Sequence, residues 1–373
     1  MKYKRVVLNS SSIYNSIIGG INRYSFELFK SISKNNEFLI SRYPTFNSFE
    51  DKKKLKYLDF LRNLPLAYFL KKYYEEKKFK KFTSSEDKFD IYHETNFIFK
   101  PFNNKKILTV YDLSWISNPE FHPKKRVLFM EKYFEKSLRQ ASAIIAISNY
   151  VKKDIIEIFN ISEKKIFVTH LGCTSSFRKD LKESHVQNFL KTKNLKKNSF
   201  LLLISTLEPR KNIINTIKAY NNLSLDKSEL PLVIVGTPGW KYDKILELIN
   251  STKGVVHFKN ITDEELNILL FSQKFCVFNS FSEGFGLPII ESMNFSKPVI
   301  TSNNSSMKEI AQNFAILNDP NDVEGLTKKM TQLIKDDDSY RLYSEKSLKR
   351  SADFSWDNCG KKTLDVYRTV SEN

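Results

Sequence analysis

Short apolar runs rich in Leu, Ile and Val recur along the chain, separated by longer segments whose apolar residues return every three or four positions. In the first half the runs predict strands at Arg5–Asn9, Phe38–Ser41, Asp90–His93, Lys106–Val110, Ala143–Ile147 and Ile166–Thr169. In the second half they predict strands at Phe200–Ile204, Leu232–Val235, Val255–Phe258, Phe275–Asn279, Val299–Thr301 and Ala315–Leu317. The segments between them predict helices, among them Gly20–Ser33, Lys125–Gln140 and Asn149–Phe159, the last behind a Ser148 cap. Further helices are expected at Lys211–Asn222 and Asp263–Phe271, the latter opened by a Thr262/Glu265 capping box. Buried parallel strands alternating with helices build doubly wound α/β sheets, and this chain carries enough alternation for two.

A length of 373 residues agrees, since one hydrophobic core rarely serves so long a chain. The polar stretch from about Gly172 to Asn198 separates the two patterns. The expected division is therefore a Rossmann-like domain over 1–190, a second over 191–350, and a C-terminal helix over 351–373. Ligands bind such sheets at the carboxyl ends of their strands, so the cleft between the domains is the expected site.

Composition narrows the class. With 41% hydrophobic residues, 10 Gly and 11 Pro, the chain is neither collagen-like nor wholly disordered. No apolar run approaches the roughly 18–20 residues of a membrane span. The apolar core after Met1-Lys2-Tyr3-Lys4-Arg5 is too short for a signal peptide. Cys173, Cys276 and Cys359 are scattered and form no C-x-x-C pair, so neither a disulfide framework nor a zinc site is expected, and a reducing cytoplasm fits.

Charge is unevenly spread. Residues 1–200 hold 39 Lys and Arg against 20 Asp and Glu, whereas residues 201–373 hold 21 against 22. The excess peaks between Lys52 and Lys81, where 11 basic residues meet 3 acidic ones and aromatic residues interleave. Such a stretch can be a solvated helix, a surface for anionic lipid, or a phosphate-binding face for nucleic acid.

Candidate chemistry concentrates in the second half. In Phe278-Asn279-Ser280-Phe281-Ser282-Glu283-Gly284-Phe285-Gly286-Leu287-Pro288-Ile289-Ile290-Glu291 a strand ends, a glycine-bearing loop follows, and Pro288 suits the first turn of a helix. The amides of Phe285, Gly286 and Leu287 at that N-terminus would attract an anion. Glu283 and Glu291 are natural acceptors for sugar and ribose hydroxyls. After the strand ending at Ile204, Arg210 and Lys211 offer a fork and a point charge that suit a diphosphate. Gly284-Phe285-Gly286 only half-matches a dinucleotide fingerprint, because Ile289 stands where the third glycine belongs. His93 sits at a predicted strand end, either as a cleft residue or as a structural one. His122, His170, His185 and His257 show no ligand spacing, and Asp336-Asp337-Asp338 reads as a turn between helices rather than a metal motif.

These stretches resemble family 4 of the glycosyltransferases, retaining enzymes with the GT-B architecture of two facing Rossmann-like domains. Thr206-Leu207-Glu208-Pro209-Arg210-Lys211-Asn212 is similar to the family's T-L-E-P-R-K-N stretch. Ser282 to Pro288 with Glu291 resembles its signature of two glutamates separated by seven residues. Gly20-Ile21-Asn22-Arg23-Tyr24 resembles its N-terminal G-I-x-R-Y loop, and Phe354-Ser355-Trp356 the F-S-W that opens a helix crossing back to the first domain.

The resemblance implies a nucleotide-sugar donor on the second domain and an acceptor on the first. Arg210 and Lys211 would hold the diphosphate, Glu291 the ribose, and Glu283 the donor sugar. Gly284, Phe285, Gly286 and Leu287, with Gly19 and Gly20 from the other domain, would cradle sugar and phosphates. Where many relatives have His-Asp after the fourth strand this chain has Tyr111-Asp112: Tyr111 can still donate a hydrogen bond on the acceptor side, and Asp112 is the candidate for acceptor contact or general base. No metal or other cofactor is implied. The E-P-R-K-N variant is similar to mannosyltransferases of lipopolysaccharide and capsule assembly. GDP-mannose is therefore the expected donor, with a glycan or polyprenyl-diphosphate-linked acceptor at the inner face of the cytoplasmic membrane. Two rivals stand beside this reading: a GT-B phosphorylase or sucrose-synthase-like enzyme, and a basic nucleic-acid-binding protein.

Overall fold

The computed structural model describes residues 3–10, 20–44, 65–85, 89–173 and 181–372. The first sheet contains β1 (Lys4–Asn9), β2 (Phe38–Tyr43), β3 (Ile91–Glu94), β4 (Lys105–Val110), β5 (Ala143–Ala146) and β6 (Ile166–Val168), in the order β2-β1-β3-β4-β5-β6. The second contains β7 (Leu201–Ile204), β8 (Leu232–Val235), β9 (Val255–Phe258), β10 (Phe275–Phe278), β11 (Val299–Ser302) and β12 (Ile316–Asn318), in the order β12-β11-β10-β7-β8-β9. Every pairing within them is parallel. Each of the twelve predicted strands is present, shifted by at most two residues at an end.

The strand order fixes where ligands can bind. In each sheet the chain winds outward one way and then returns to wind the other, so the strand order reverses between β1 and β3 and between β7 and β10. Helices there leave in opposite directions and open a crevice at the strands' carboxyl ends. The loops after β7 and β10 are the two stretches that carry Arg210, Lys211 and Glu283.

Local chemistry explains the helices that border this crevice. Ser148 accepts from Val151 N at 3.2 Å and caps the Asn149–Phe159 helix, and Thr262 and Glu265 form the expected capping box. The Leu287–Asn294 helix starts at Gly286, whose φ of 99° lies in the left-handed region that favours glycine. Asp336 caps the Asp337–Ser351 helix by accepting from Ser339 N at 3.0 Å, so the aspartate run is a helix start on the surface.

The Trp356–Glu372 helix lies on the first lobe, against the Gly20–Ile32 helix. The approach is close: a Cβ at Gly360 would fall 2.2 Å from Ser31 Oγ. The first lobe's apolar core continues through Phe354 and Phe285, whose rings meet edge to face at 5.7 Å, into the second lobe.

The basic segment is only partly within the described residues, which resume with a helix over Pro65–Ser85. That helix is docked by aromatic contacts: Phe79 is fully buried against Tyr43 and Tyr92, and Phe82 stacks on Phe89. Among the described residues no helix is long and apolar enough to cross a membrane.

Candidate active site at the seam between the lobes

After β7 the chain makes a tight turn over Pro209–Lys211 and enters the Ile213–Asn221 helix through Asn212, which adopts φ 55°. Asn212 Nδ2 donates to Asn279 O at 2.9 Å and to Pro320 O at 2.7 Å, while Phe281 N donates to Arg210 O at 2.9 Å. These bonds tie the loop after β7 to the loop after β10. Glu283 is fixed from behind, its N–H donating to Ser305 Oγ and its carbonyl accepting from Ser306 Oγ.

Tied together, the loops bring their charges into one network. Arg210 Nη1 donates to Glu283 Oε2 at 3.0 Å and to Ser282 O at 2.6 Å, and Nη2 donates to Glu208 Oε1 at 3.0 Å. Lys211 Nζ donates to Glu283 Oε1 at 2.6 Å. Arg210, Glu208 and Glu283 are all buried. Burial opposes the charge on Glu283, but the adjacent Arg210 and Lys211 outweigh it and hold its carboxyl below the ordinary value. Burial likewise opposes the Arg210 charge, and Glu283, Asp112 and Glu208 together raise the guanidinium above its usual range.

The first lobe closes on this network. A Cβ at Gly284 would fall 1.6 Å from Tyr111 O and 3.1 Å from Asp112 Cβ, so only glycine permits the contact. Ser148 Oγ donates to Gly284 O at 2.8 Å across the same seam. A Cβ on Gly20 would stand 3.7 Å from Leu287 Cδ1, at the start of the second lobe's helix. Further along, Glu309 of the second lobe accepts from Asn149 N and Tyr150 N at the first turn of the Asn149–Phe159 helix, and its Oε1 lies 2.7 Å from His170 Nε2.

Asp112 is half-buried beside these contacts. Its Oδ1 accepts from Ser114 N at 3.1 Å and from Ser114 Oγ at 2.7 Å. Burial pushes this carboxyl up, but the Arg210 charge and the Ser114 hydrogen bonds prevail and leave it below the ordinary value. Ser114 Oγ also lies 2.9 Å from His122 Nε2, so His122 supports the acid through a hydroxyl.

Two acceptor-side candidates are placed away from the cleft. His93 does not face the cleft: its Nε2 lies 2.7 Å from Thr109 Oγ1 and its Nδ1 2.8 Å from Tyr367 OH, beneath the C-terminal helix. Burial pushes its pKa down to about 3. Tyr111 does not offer its hydroxyl to an acceptor, because that group donates to Thr95 O at 2.8 Å and the ring packs against Tyr24 and Phe97. The Phe285 ring is buried against Phe354, so only its backbone can serve a ligand in the loop after β10.

Glu291 lies in the Leu287–Asn294 helix and is buried, with Arg23 of the first lobe donating to Oε1. Gly19 lies outside the described residues. Sequence reading passed over Glu208, Asn212 and Arg23 although each stands inside a quoted stretch, and it gave Ser114 and His122 no part. Burial and charge pairing single them out only once the chain is folded.

Comparisons with known proteins place this arrangement. The family model "Glycosyl transferases group 1" matches residues 186–350. The chain is 31% identical over 368 residues to O-antigen chain mannosyltransferase B of Escherichia coli, spanning 94% of this chain and 96% of that protein. It is 30% identical over 281 residues to the serotype-specific mannosyltransferase WbdA of Escherichia coli, covering 72% of this chain and 34% of WbdA. Among solved structures it is similar to Anabaena HepE in complex with UDP-glucose, at TM-score 0.73 and 16% identity, with 100% of each chain covered. A sucrose-phosphate synthase from Thermosynechococcus elongatus aligns at TM-score 0.74 and 16% identity over 99% of each chain, a likeness of fold. With two facing parallel sheets in the GT-B arrangement and a full-length relative at this identity, the chain belongs to the group 1 glycosyltransferases.

Proposed function

We propose that the protein is a retaining, metal-independent mannosyltransferase. It would move mannose from GDP-mannose to a hydroxyl of a glycan or polyprenyl-diphosphate-linked acceptor in cell-surface polysaccharide synthesis. The donor would occupy the lobe over 191–350 and the acceptor the lobe over 1–190, with 351–373 tying the two. The observation that carries the reading is the Glu208–Arg210–Glu283–Lys211 network at the β7/β10 reversal, with Glu283 four positions before the helix that bears Glu291. The mannose assignment is supported by relatives that are mannosyltransferases.

The network supports an exchange. Glu283 holds Arg210 Nη1 and Lys211 Nζ, the donors that would face a diphosphate, while Glu208 anchors Nη2 from the other side. An arriving diphosphate would take those donors and release the Glu283 carboxylate to accept sugar hydroxyls. As the glycosidic bond breaks, negative charge gathers on the leaving diphosphate. Arg210, Lys211 and the helix N-terminus at Leu287 are set to stabilise it, usually the largest single catalytic contribution. That positive charge is why the proposed reaction needs no metal. Asp112, kept ionised beside Arg210, would accept a proton or hydrogen bond from the acceptor hydroxyl.

Arg210→Ala and Glu283→Gln should each lower transfer from radiolabelled GDP-mannose by roughly two to three orders of magnitude, the usual effect of removing one transition-state contact. Circular dichroism should stay native. Parent-level activity in either folded variant would overturn the assignment, and phosphate-dependent release of sugar-1-phosphate would favour the phosphorylase rival. The basic first lobe supports peripheral attachment to an anionic inner membrane surface.

A further inference from the structure

Arg23 joins the lobes where the nucleotide is proposed to sit. It stands in the first turn of the Gly20–Ile32 helix and reaches across the seam to two acids of the second lobe. Its Nη1 donates to Glu291 Oε1, and its Nη2 donates to Asp263 Oδ1 at 3.1 Å. The Arg23 side chain is 13% exposed and that of Glu291 5%, whereas Asp263 at 65% is open to water. The strong contact is therefore with Glu291, whose attraction exceeds the cost of burial and raises the Arg23 pKa above its ordinary value.

Glu291 then has two claimants: a guanidinium from the opposite lobe and the ribose hydroxyls of a nucleotide. We infer that Arg23 gates the ribose site, its bond to Glu291 holding the lobes together until a nucleotide's ribose takes that carboxylate from it. This rests on the reading of Glu291 as the ribose acid. Because Arg23 and Glu291 belong to different lobes, their pair favours lobe contact. A ribose that competes for the same acid must spend part of its binding free energy displacing the guanidinium. Removing Arg23 should therefore act with opposite signs on binding and on turnover. The nucleotide meets a carboxylate without a competitor and binds more tightly. Transfer slows, because an Arg23 displaced from Glu291 still reaches Asp263 and tethers the lobes over donor and acceptor, and the variant lacks that tether. A residue that merely supported the fold, or that held the nucleotide directly, would weaken both together.

Arg23→Met keeps the aliphatic stem and removes the charge. Titration calorimetry with GDP and with UDP should show the nucleotide that the parent prefers bound roughly three- to tenfold more tightly, the scale of one partly buried ion pair. The kcat for transfer from GDP-mannose should fall about tenfold or more. Arg23→Lys should change both in the same directions by less, and it serves as the test if the Met variant does not fold. Unchanged or weaker nucleotide binding in the folded variants overturns the gate. Glu291→Gln separates the two readings: if it leaves nucleotide binding intact, the ribose assignment itself fails and takes the gate with it. If Glu291→Gln weakens binding but Arg23→Met does not tighten it, the gate alone falls. In the Arg23→Met/Glu291→Gln double variant the tightening should vanish.

Discussion

His93 shows how one residue can be singled out as chemically notable while the sequence leaves its role open between the cleft and the core. It lies on β3, where all four residues are buried, so alternation along the strand says nothing about which side chain meets solvent and which the C-terminal helix. Folding places Tyr367, 274 positions away, on one ring nitrogen and Thr109 on the other. The consequence appears in stability. Burial holds the folded pKa near 3, whereas the unfolded chain takes up this proton at about 6.5. Below pH 6.5 the unfolded state binds the extra proton, so the folded state loses about 1.4 kcal/mol for each further unit of acidity. His93→Gln abolishes that titration. Urea denaturation should show the variant losing about 2 kcal/mol less than the parent between pH 7 and pH 5, and identical acid slopes would mean that His93 is not buried as described. Arg23 and Glu208 were missed for a related reason. Their partners are placed only by the fold: Arg23 meets the acid Glu291, 268 residues away, and Glu208 meets the Arg210 guanidinium around a tight turn.

Elements were far more legible than contacts. Strands in a parallel sheet covered on both faces are short, apolar and regularly spaced, so period and length alone located them. Helix starts were legible where a side chain does the capping, as at Ser148 and Thr262. The start at Gly286 is different, because no side chain caps it and its geometry comes from the backbone. With φ at 99°, and with a Cβ there falling 2.8 Å from Ile289 Cδ1, Gly286 turns the chain from the loop after β10 into the Leu287–Asn294 helix. Gly286→Ala should therefore lose about 1–2 kcal/mol of stability, since alanine avoids positive φ. It should also weaken nucleoside-diphosphate binding, because the amides that follow would no longer aim at one point. Thermal denaturation with calorimetric titration checks both, and an Ala variant with parental stability and affinity would show that the helix start does not depend on glycine.

At the scale of the whole molecule, the charge imbalance has a place in the fold. The second lobe is near neutral and holds the proposed donor site, whereas the basic excess lies in the first. On the Pro65–Ser85 helix Lys77, Lys78, Lys80 and Lys81 face solvent beside Tyr73, which is 64% exposed. The Lys124–Gln140 helix adjoins it, with Lys72 Nζ seated 3.7 Å from the Tyr133 ring centroid, and it presents Leu128 at 65% exposure. Its N-terminal end reaches the seam, where the Arg126 guanidinium lies 5.4 Å from the Trp240 ring of the second lobe. Cations flanked by exposed aromatic and aliphatic groups suit an anionic lipid surface, where each Lys or Arg contributes on the order of 1 kcal/mol. A lipid-linked acceptor embedded there would meet the protein beside its active seam. In a flotation assay the protein should rise with vesicles containing phosphatidylglycerol, stay behind with pure phosphatidylcholine, and be released near 1 M salt, where screening acts within roughly 3 Å. Replacing Lys77, Lys78, Lys80 and Lys81 with Glu should abolish flotation while transfer to a soluble acceptor persists. A parent protein indifferent to lipid charge would sink the membrane reading. Steep, salt-sensitive binding to random oligonucleotides would instead assign the basic lobe to nucleic acid.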